Sequence, residues 1–260
     1  MGLRNSDRPR LPSIGEFVKS RRLRLIDPNT QKPWTQVELG SAINLYPNTY
    51  ARLERNKYQP GPQVLDALAR VFDLTADERA HMGVLAGREV PTAAVFQLPA
   101  ELEQAVLSAF ESRTPAAWVE DWRIVAANLR FRELWPGLAD SDNIIRWWLT
   151  SEHARKVTPN HEEEARIQVS QFRAFAADES NRERALEMLE QLGDEPEFSR
   201  LWNSGTVQLG RPGPRYVWCP REDRFIELAD VLVLAGSASM WGRGLYIGLP
   251  GAPTLSPPSD

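Results

Sequence analysis

The stretch TQVELGSAINLYPNTYARLERNKYQP, at positions 35–60, determines the fold of the first third of the chain. Thr35 can cap a short helix, because its hydroxyl can accept from the exposed N–H groups of the first turn. Pro47 fits the first turn of a second helix, which continues to Glu54. Only a few residues connect the two helices. This spacing predicts a helix-turn-helix.

Similar patterns on both sides of this stretch predict further short helices. Ser13 and Glu16 have the spacing of a capping box ahead of an apolar helical face. Residues 63–72 carry apolar side chains at helical spacing, which is typical of a buried stripe. Thr75 and Glu78 repeat the capping pattern before a last helix. We therefore expect an all-α head of five helices.

The second helix of the motif carries polar side chains suited to reading DNA. Asn48 and Arg52 lie four residues apart, so they share a helix face, and an amide and a guanidinium can bond base edges. Gln36 begins the preceding helix, where side chain and backbone N–H groups can meet a phosphate. The predicted DNA-binding residues are Gln36, Tyr46, Asn48, Thr49, Arg52, Arg55 and Lys57. The alternative is a helix pair of the kind that packs in many all-α domains without touching DNA.

Charge is distributed unevenly along the chain. Residues 1–60 contain 11 Lys/Arg and 5 Asp/Glu, whereas residues 61–260 contain 20 and 30, which together give the net charge of −4. A basic head on an acidic body indicates that the head alone meets a polyanion, here double-stranded DNA. Chance clustering of solvated charge is the alternative explanation.

Beyond the head, the pattern changes from helical to mixed. Periodicity weakens over residues 88–100, so we place a boundary near residue 90. A hairpin is expected around Glu120 and Asp121, then several helices, then the β-prone runs TVQLG, RYVWC, RFIELADVLVL and GLYIGL. The sequence predicts a helix-turn-helix domain at 1–90, an α/β domain with a mixed, mainly antiparallel sheet and helices at 91–250, and a disordered tail at 251–260.

Composition excludes several classes of protein. Hydrophobic residues make up 42% and the mean hydropathy is −0.42, with no apolar run long enough to cross a bilayer. The polar start MGLRNSDRPR argues against a secretory signal. The one cysteine, Cys219, excludes an intramolecular disulfide. We expect a soluble cytoplasmic protein with no membrane partner.

Catalytic and metal-binding patterns are missing from the sequence. The three histidines, His81, His153 and His161, have no metal-ligand spacing, and no GxSxG, GxGxxG or P-loop is present. The run Glu162–Glu164 fits a solvated first turn of a helix. We therefore expect no enzyme, no bound metal and no cofactor.

Six motifs, in order, resemble one family. They are GEFVKSRR at 15–22, TYARLERNKYQPGPQVLDALARVFDLTADERAHMGVLAG at 49–87, WRIVAAN at 122–128, NIIRWWLTSEHARKV at 143–157, EEEARIQVSQFRAFA at 162–176 and PEFSRLWNSGTV at 196–207. The chain resembles the MmyB-like transcription regulators of actinobacteria over about residues 13–248. The resemblance implies a Cro/C1-type (XRE) helix-turn-helix, a PAS-like ligand-binding domain, a long-chain, fatty-acid-like ligand, dimerisation and control of secondary metabolism. One departure is Cys219 before Pro220, where the family usually has histidine; the ligand chemistry differs if that histidine touches the ligand, and otherwise Cys219 is a small buried hydrophobe.

Aromatic residues suggest where a ligand binds. Eight of the nine tryptophans lie beyond residue 100, where they can line a pocket for an amphiphile or simply pack in the core. The predicted ligand-binding residues are Trp118, Phe131, Trp135, Arg146, Trp147, Phe172 and Arg173. Either arginine could hold a carboxylate. This prediction requires a cavity of at least about 300 Å³.

Together these patterns predict a sequence-specific transcription regulator that binds operator DNA as a homodimer and responds to a small hydrophobic ligand. A dimer is expected because one helix-turn-helix reads few base pairs. Two alternatives belong to other classes. One is an enzyme or carrier acting on an acyl or aromatic metabolite with an autoregulatory head. The other is a protein-interaction module with an unused pocket.

Overall fold

A computed structural model describes residues 9–28, 30–88, 100–110, 113–234 and 243–251. The chain divides into two compact units. The helical unit lies within Met1–Val90 and Ser170–Leu209, and the sheet unit lies within Pro91–Val169 and Gly210–Asp260. This grouping differs from a linear division, because a segment from the second half of the chain packs with the N-terminal helices. The boundary at residue 90 stays a prediction.

Five consecutive helices form most of the helical unit. They are α1 (Ile14–Arg24), α2 (Gln36–Ala42), α3 (Pro47–Glu54), α4 (Pro62–Val71) and α5 (Ala76–Leu85). Thr35 and Thr75 each form a complete capping box with the glutamate three residues later, whereas Ser13 accepts from the Glu16 N–H without the return bond from the Glu16 side chain. The five-helix head predicted from the sequence is confirmed.

The core of this head is apolar and closely packed. Val18, Leu39, Leu53 and Leu68 are fully buried, so α1 to α4 all contribute to it. Helices α1 and α3 approach closely at Gly15, where a Cβ would lie 2.5 Å from the Glu54 carbonyl oxygen. Only glycine fits this contact, which fixes α3 against α1.

The sheet unit is built on five strands. They are β1 (Ala116–Glu120), β2 (Arg123–Ala127), β3 (Arg215–Cys219), β4 (Arg224–Leu234) and β5 (Arg243–Pro250), in the order β2-β1-β5-β4-β3 with every neighbouring pair antiparallel. The expected hairpin joins β1 to β2 through Asp121 and Trp122, which both have positive φ. The prediction of a strand at TVQLG is wrong, because residues 206–210 form no strand. It rested on two β-branched residues, and no strand pairs with this segment.

Within the described ranges, seven further α-helices belong to the two units. They are α6 (Ala100–Ala109), α7 (Leu129–Leu134), α8 (Ile144–Thr150), α9 (Glu152–Val157), α10 (His161–Phe175), α11 (Arg182–Leu192) and α12 (Pro196–Asn203). Residues of α10 up to Val169 belong to the sheet unit, and those from Ser170 onward belong to the helical unit with α11 and α12. The predicted helical head followed by an antiparallel sheet with helices is therefore confirmed.

The sheet has two differently covered faces. Trp118 and Leu245 pack with Leu107 of α6 on one face, which we call the outer face. Strand side chains alternate, so Val119 and Tyr246 point to the opposite, inner face. Within the described ranges, no helix has the length and apolar character needed to cross a membrane.

Candidate functional site

The solvent side of α3 carries the predicted reading residues. Asn48 and Arg52 are both exposed, Thr49 is half-buried, and Tyr46 is 82% exposed immediately before the helix. The opposite side of α3 is buried through Tyr50 and other core residues. Residues three or four positions apart lie on the same side of a helix, so the sequence alone shows which residues share each side. The exposed side is free to enter a groove of DNA.

A buried ion pair fixes the position of α3. The Arg22 Nε atom donates to Glu54 Oε1 at 2.6 Å, and a second nitrogen donates to Oε2 at 3.1 Å. Arg22 also donates to the Trp34 carbonyl oxygen at 2.6 Å. Both charged side chains are almost fully shielded from water. The pair therefore holds α1, α3 and the segment leading into α2 in one arrangement.

The electrostatics of this pair keep both groups charged. Burial alone would raise the pKa of Glu54, but the hydrogen bonds from Arg22 and Gln36 and the Arg22 charge outweigh it, so the pKa is lowered. The hydrogen bond that Arg22 donates to Glu54 raises the pKa of Arg22. Sequence reasoning missed this pair, although an arginine and a glutamate among buried helical positions were its signal.

The remaining predicted DNA-binding residues surround this pair. The Gln36 side chain donates to Glu54 at 2.6 Å, so it is held at the first turn of α2. Arg55 donates to the Ala51 carbonyl oxygen, and Arg52 donates to that of Lys57. Arg52, Arg55 and Lys57 are all exposed. All seven predicted residues thus lie on α2, on α3 or in the residues directly before and after α3.

A small cavity lies on the inner face of the sheet unit. It encloses about 50 Å³. Its lining residues are mostly apolar or aromatic: Val119, Ile124, Phe131, Trp135, Leu138, Ile144, Trp148, Gln168, Arg215 and Tyr246. The volume is well below the predicted 300 Å³, because the aromatic rings fill the space: the Phe131 centroid lies 4.8 Å from Trp135 and 5.9 Å from Tyr246.

Arg215 supplies the one charged side chain in the lining of this cavity, as far as the described residues show. Its guanidinium lies 2.7 Å from Asp230 and 3.1 Å from Glu164. It also stacks on two rings, 5.3 Å from the Trp148 centroid and 5.8 Å from that of Trp135. Arginine over an indole face is a favourable cation–π arrangement.

The ion pairs extend into a neutral network. Arg211 pairs with both Glu164 and Asp230, so two arginines balance two carboxylates. The Tyr246 hydroxyl donates to Asp230 at 2.8 Å. Glu164 is only 3% exposed, so the prediction of a wholly solvated first turn in α10 is wrong for this residue; two arginines that are distant in sequence compensate its burial.

Burial and charge shift the pKa values of this network in predictable directions. Burial alone would lower the pKa of Arg215, but the charges of Asp230 and Glu164 outweigh it and raise the pKa. Burial alone would raise the pKa of Asp230, but Arg215 lowers it. Burial, followed by the Asp230 charge, raises the pKa of Tyr246 well above its usual value. Arg215 and Asp230 therefore stay ionised, with Tyr246 neutral, near neutral pH.

Two of the seven predicted ligand residues line the cavity, Phe131 and Trp135. Trp118 lies on the outer face of the sheet beneath α6. Trp147 packs against Trp148 with centroids 5.0 Å apart, outside the lining. Arg146 pairs with Asp142 on the surface of α8.

The last two predicted ligand residues belong to the helical unit. Phe172 packs against Phe198 and Trp202 at centroid distances of 6.2 and 5.2 Å. Arg173 stacks on the Trp202 ring and donates to its carbonyl oxygen at 3.0 Å. The structure therefore does not bring Phe172 or Arg173 to the cavity. Helical periodicity showed that Phe172 is buried, but not in which unit.

Sequence reasoning missed the polar side of the cavity. Arg215 and Asp230 occupy inward positions of β3 and β4, where the neighbouring inward residues are apolar. A charged residue at such a position was the available signal. On the other side of the network, Glu164 and Arg211 line a more polar cleft of about 230 Å³.

Cys219 is buried in the sheet unit with a charged neighbour. Its sulfur accepts from Arg130 at 3.1 Å, and Arg130 also pairs with Glu133. Cys219 does not line the cavity. Among the described residues, no group of three or more His, Cys, Asp or Glu side chains could hold a metal ion.

Two protein-family models match the chain, one in each of its two parts. Residues 100–229, half of the chain, match the family model of the MmyB-like transcription regulator ligand binding domain. Residues 30–79, which contain α2 and α3, match a helix-turn-helix model. A search of curated proteins found no match.

Proposed function

Because the chain belongs to the MmyB-like transcription regulators, ligand-responsive proteins that bind DNA, we propose that it reads an operator through α3. It does so as one half of a homodimer. It also responds to a small hydrophobic ligand that binds in the aromatic cavity. Asn48 and Arg52 would contact base edges, and Gln36, Arg55 and Lys57 would contact the phosphate backbone. Tyr46 and Thr49 would lie at the edge of this contact.

The observation that carries the DNA-binding part is the placement of α3. Asn48 and Arg52 are exposed on one side, while Glu54 on the other side is held by Arg22 and Gln36. A recognition helix needs exposed polar side chains on a rigid support, since base contacts depend on fixed geometry. The excess of basic residues in the first 60 positions supports attraction to DNA.

The first experiment tests the assignment of base and phosphate contacts. Selection from random duplex DNA with the full chain would define the operator. Arg52→Ala should then lose about 1–3 kcal/mol on the operator and much less on random DNA. The matched variant Arg55→Ala should weaken both to the same extent. Equal losses on the two DNAs for Arg52→Ala would contradict its role in base reading.

The ligand part of the proposal rests on the apolar lining and the polar network beside it. A cavity of about 50 Å³ accepts only a small molecule unless the aromatic side chains move. A long-chain, fatty-acid-like ligand would therefore require Phe131, Trp135 or Tyr246 to shift. We expect ligand binding to alter operator affinity, as measured by fluorescence anisotropy of labelled operator DNA.

The dimer part rests on apolar residues of the outer sheet face. Phe225 and Val233 of β4 and Leu249 of β5 are 44%, 52% and 45% exposed and lie on this face. The double variant Phe225→Ser with Val233→Ser should give monomers in analytical ultracentrifugation and weaker operator binding, if a second copy covers them. The same patch favours the second candidate, a protein-interaction module. In that case the variant would leave the oligomeric state unchanged.

A further inference from the structure

The connection between α1 and α2 is longer than two packed helices need. It covers residues 25–35, whereas helix connections in compact domains usually have about two to eight residues. Ile26 and Pro33 form an antiparallel bridge within it. The Trp34 N–H donates to the Leu25 carbonyl oxygen at 2.9 Å. The described residues from Leu25 to Trp34 therefore form a small hydrogen-bonded element, which we call the α1–α2 hairpin.

The end of this hairpin next to α2 is held in a fixed position. Arg22, which bonds Glu54 of α3, also donates to the Trp34 carbonyl oxygen at 2.6 Å. The Trp34 side chain is half-buried against the core of the head. The hairpin therefore keeps a constant position relative to α3, as a precise contact with a binding partner requires.

Lys32 lies close to this fixed end and carries an unpaired charge. It is exposed, and within the described part of the chain its ammonium group forms no ion pair. The acidic residues nearest to it in sequence are directed at backbone groups of their own turns. Asp27 accepts from the Thr30 N–H at 3.2 Å, and Glu38 accepts from the Thr35 N–H at 2.6 Å. Lys32 is therefore available to an anionic partner.

The position of Lys32 in the chain identifies this partner. Lys32 stands four residues before Gln36, so the two Cα atoms are at most about 14 Å apart. The flexible four-carbon stem of lysine adds further reach. Since the phosphates of one DNA strand follow each other every 3.4 Å or so along the helix axis, Lys32 reaches a phosphate within a few nucleotides of the one at Gln36.

We propose that the α1–α2 hairpin is a further DNA-contacting element, in which Lys32 binds a phosphate of the strand that Gln36 meets. This inference rests on the proposed function, because it adds a contact to the same protein–DNA interface. The contact is to the backbone and not to a base, because an ammonium group acts as a point charge and lacks the planar fork of arginine.

The test is the salt dependence of binding by the full chain, on the selected operator and on random DNA. Lys32→Ala should make the slope of log K against log salt shallower by about 0.9 per half-site. At about 0.1 M salt it should weaken binding about five- to tenfold on both DNAs. Lys32→Arg should restore most of this loss. The control Lys156→Ala removes an exposed lysine from α9 in the sheet unit and should leave the slope unchanged.

Single methylphosphonate substitutions in the operator locate the contact, because each removes the charge of one phosphate. At one position per half-site the substitution should weaken binding of the wild-type chain but not that of Lys32→Ala. An unchanged slope in Lys32→Ala, a loss on the operator alone, or the lack of such a position would overturn this inference while the operator is still bound. Failure to select any operator would overturn the proposed function, and this inference with it.

Discussion

Each unit of the protein buries an arginine against carboxylates, but the two arginines have different surroundings. Arg22 in the helical unit donates hydrogen bonds to Glu54 and to the Trp34 carbonyl oxygen. These bonds link α1 to α3 and to the segment that leads into α2. Arg215 in the sheet unit bonds Asp230 and Glu164 and also borders a cavity. The same chemistry rigidifies a binding surface in one unit and sets the charge of an interior space in the other.

This difference has a physical basis. A surface that binds DNA gains its electrostatic energy from exposed cations, so its buried ion pair only has to hold the helices in place. A cavity for a small molecule excludes water, so every charge near it acts strongly on the ligand. The neutral network around Arg215 therefore sets the charge beside the cavity, whereas the Arg22 pair is buried among helices.

Removal of Arg215 should have the largest effect. Arg215→Met leaves Asp230 and Glu164 with Arg211 as their remaining cation, and loss of one partner from a buried ion pair costs about 3–5 kcal/mol. Arg22→Met should cost less, about 3 kcal/mol, because Gln36 still donates a hydrogen bond to Glu54. Urea unfolding of both variants measures this order.

The control for this comparison is Arg224→Met. Arg224 is exposed and pairs with Glu222, so its removal should change stability by less than about 1 kcal/mol. If the stability of Arg215→Met fell by as little as that of Arg224→Met, the network would not stabilise the sheet unit.

The next largest effect should be a loss of stability of the helical unit in mild acid. His81 in α5 is buried, neither ring nitrogen has a partner, and burial followed by the charges of Arg173 and Arg21 lowers its pKa to about 3. The unfolded chain takes up this proton near pH 6.5, so stability is complete above that pH and falls as the pH decreases toward 3. The loss should reach about 2 kcal/mol at pH 5.

The acid effect should be confined to the helical unit. His81→Leu should remove the loss between pH 7.5 and 5 in thermal unfolding. His153→Leu, at an exposed histidine of α9 in the sheet unit, should retain it. An unchanged pH dependence in His81→Leu would assign the effect to other groups.

The smallest expected change in stability comes from substituting a glycine in the helical head. Alanine normally stabilises a helix relative to glycine by about 0.5–1 kcal/mol, and Gly83→Ala in α5 should do so because its Cβ would meet only Arg88 Cδ at 3.7 Å. Gly15→Ala should instead destabilise by about 1–3 kcal/mol, because its Cβ would lie 2.5 Å from the Glu54 carbonyl oxygen. Thermal unfolding of the two variants should therefore give shifts of opposite sign.

Local signals account for what the sequence predicted correctly. The capping pairs at Thr35 and Thr75 and the proline at position 47 fixed the helix starts, and the structure has helices at each. The reading surface was predictable because Gln36 to Lys57 form one contiguous segment, in which helical periodicity separates exposed from buried positions. The hairpin between β1 and β2 was likewise local.

The sequence by itself determined the five-helix head, the β1–β2 hairpin and the face of α3 that meets solvent, since these depend on residues close together in the chain. Only the tertiary structure determined the cavity. Its residues come from segments between Val119 and Tyr246, and periodicity shows that a side chain is buried without showing against what. The same limit explains why Arg173 was assigned to the ligand and Arg215 was missed: pairing of β3 with β4, not any local pattern, places Arg215 beside Asp230.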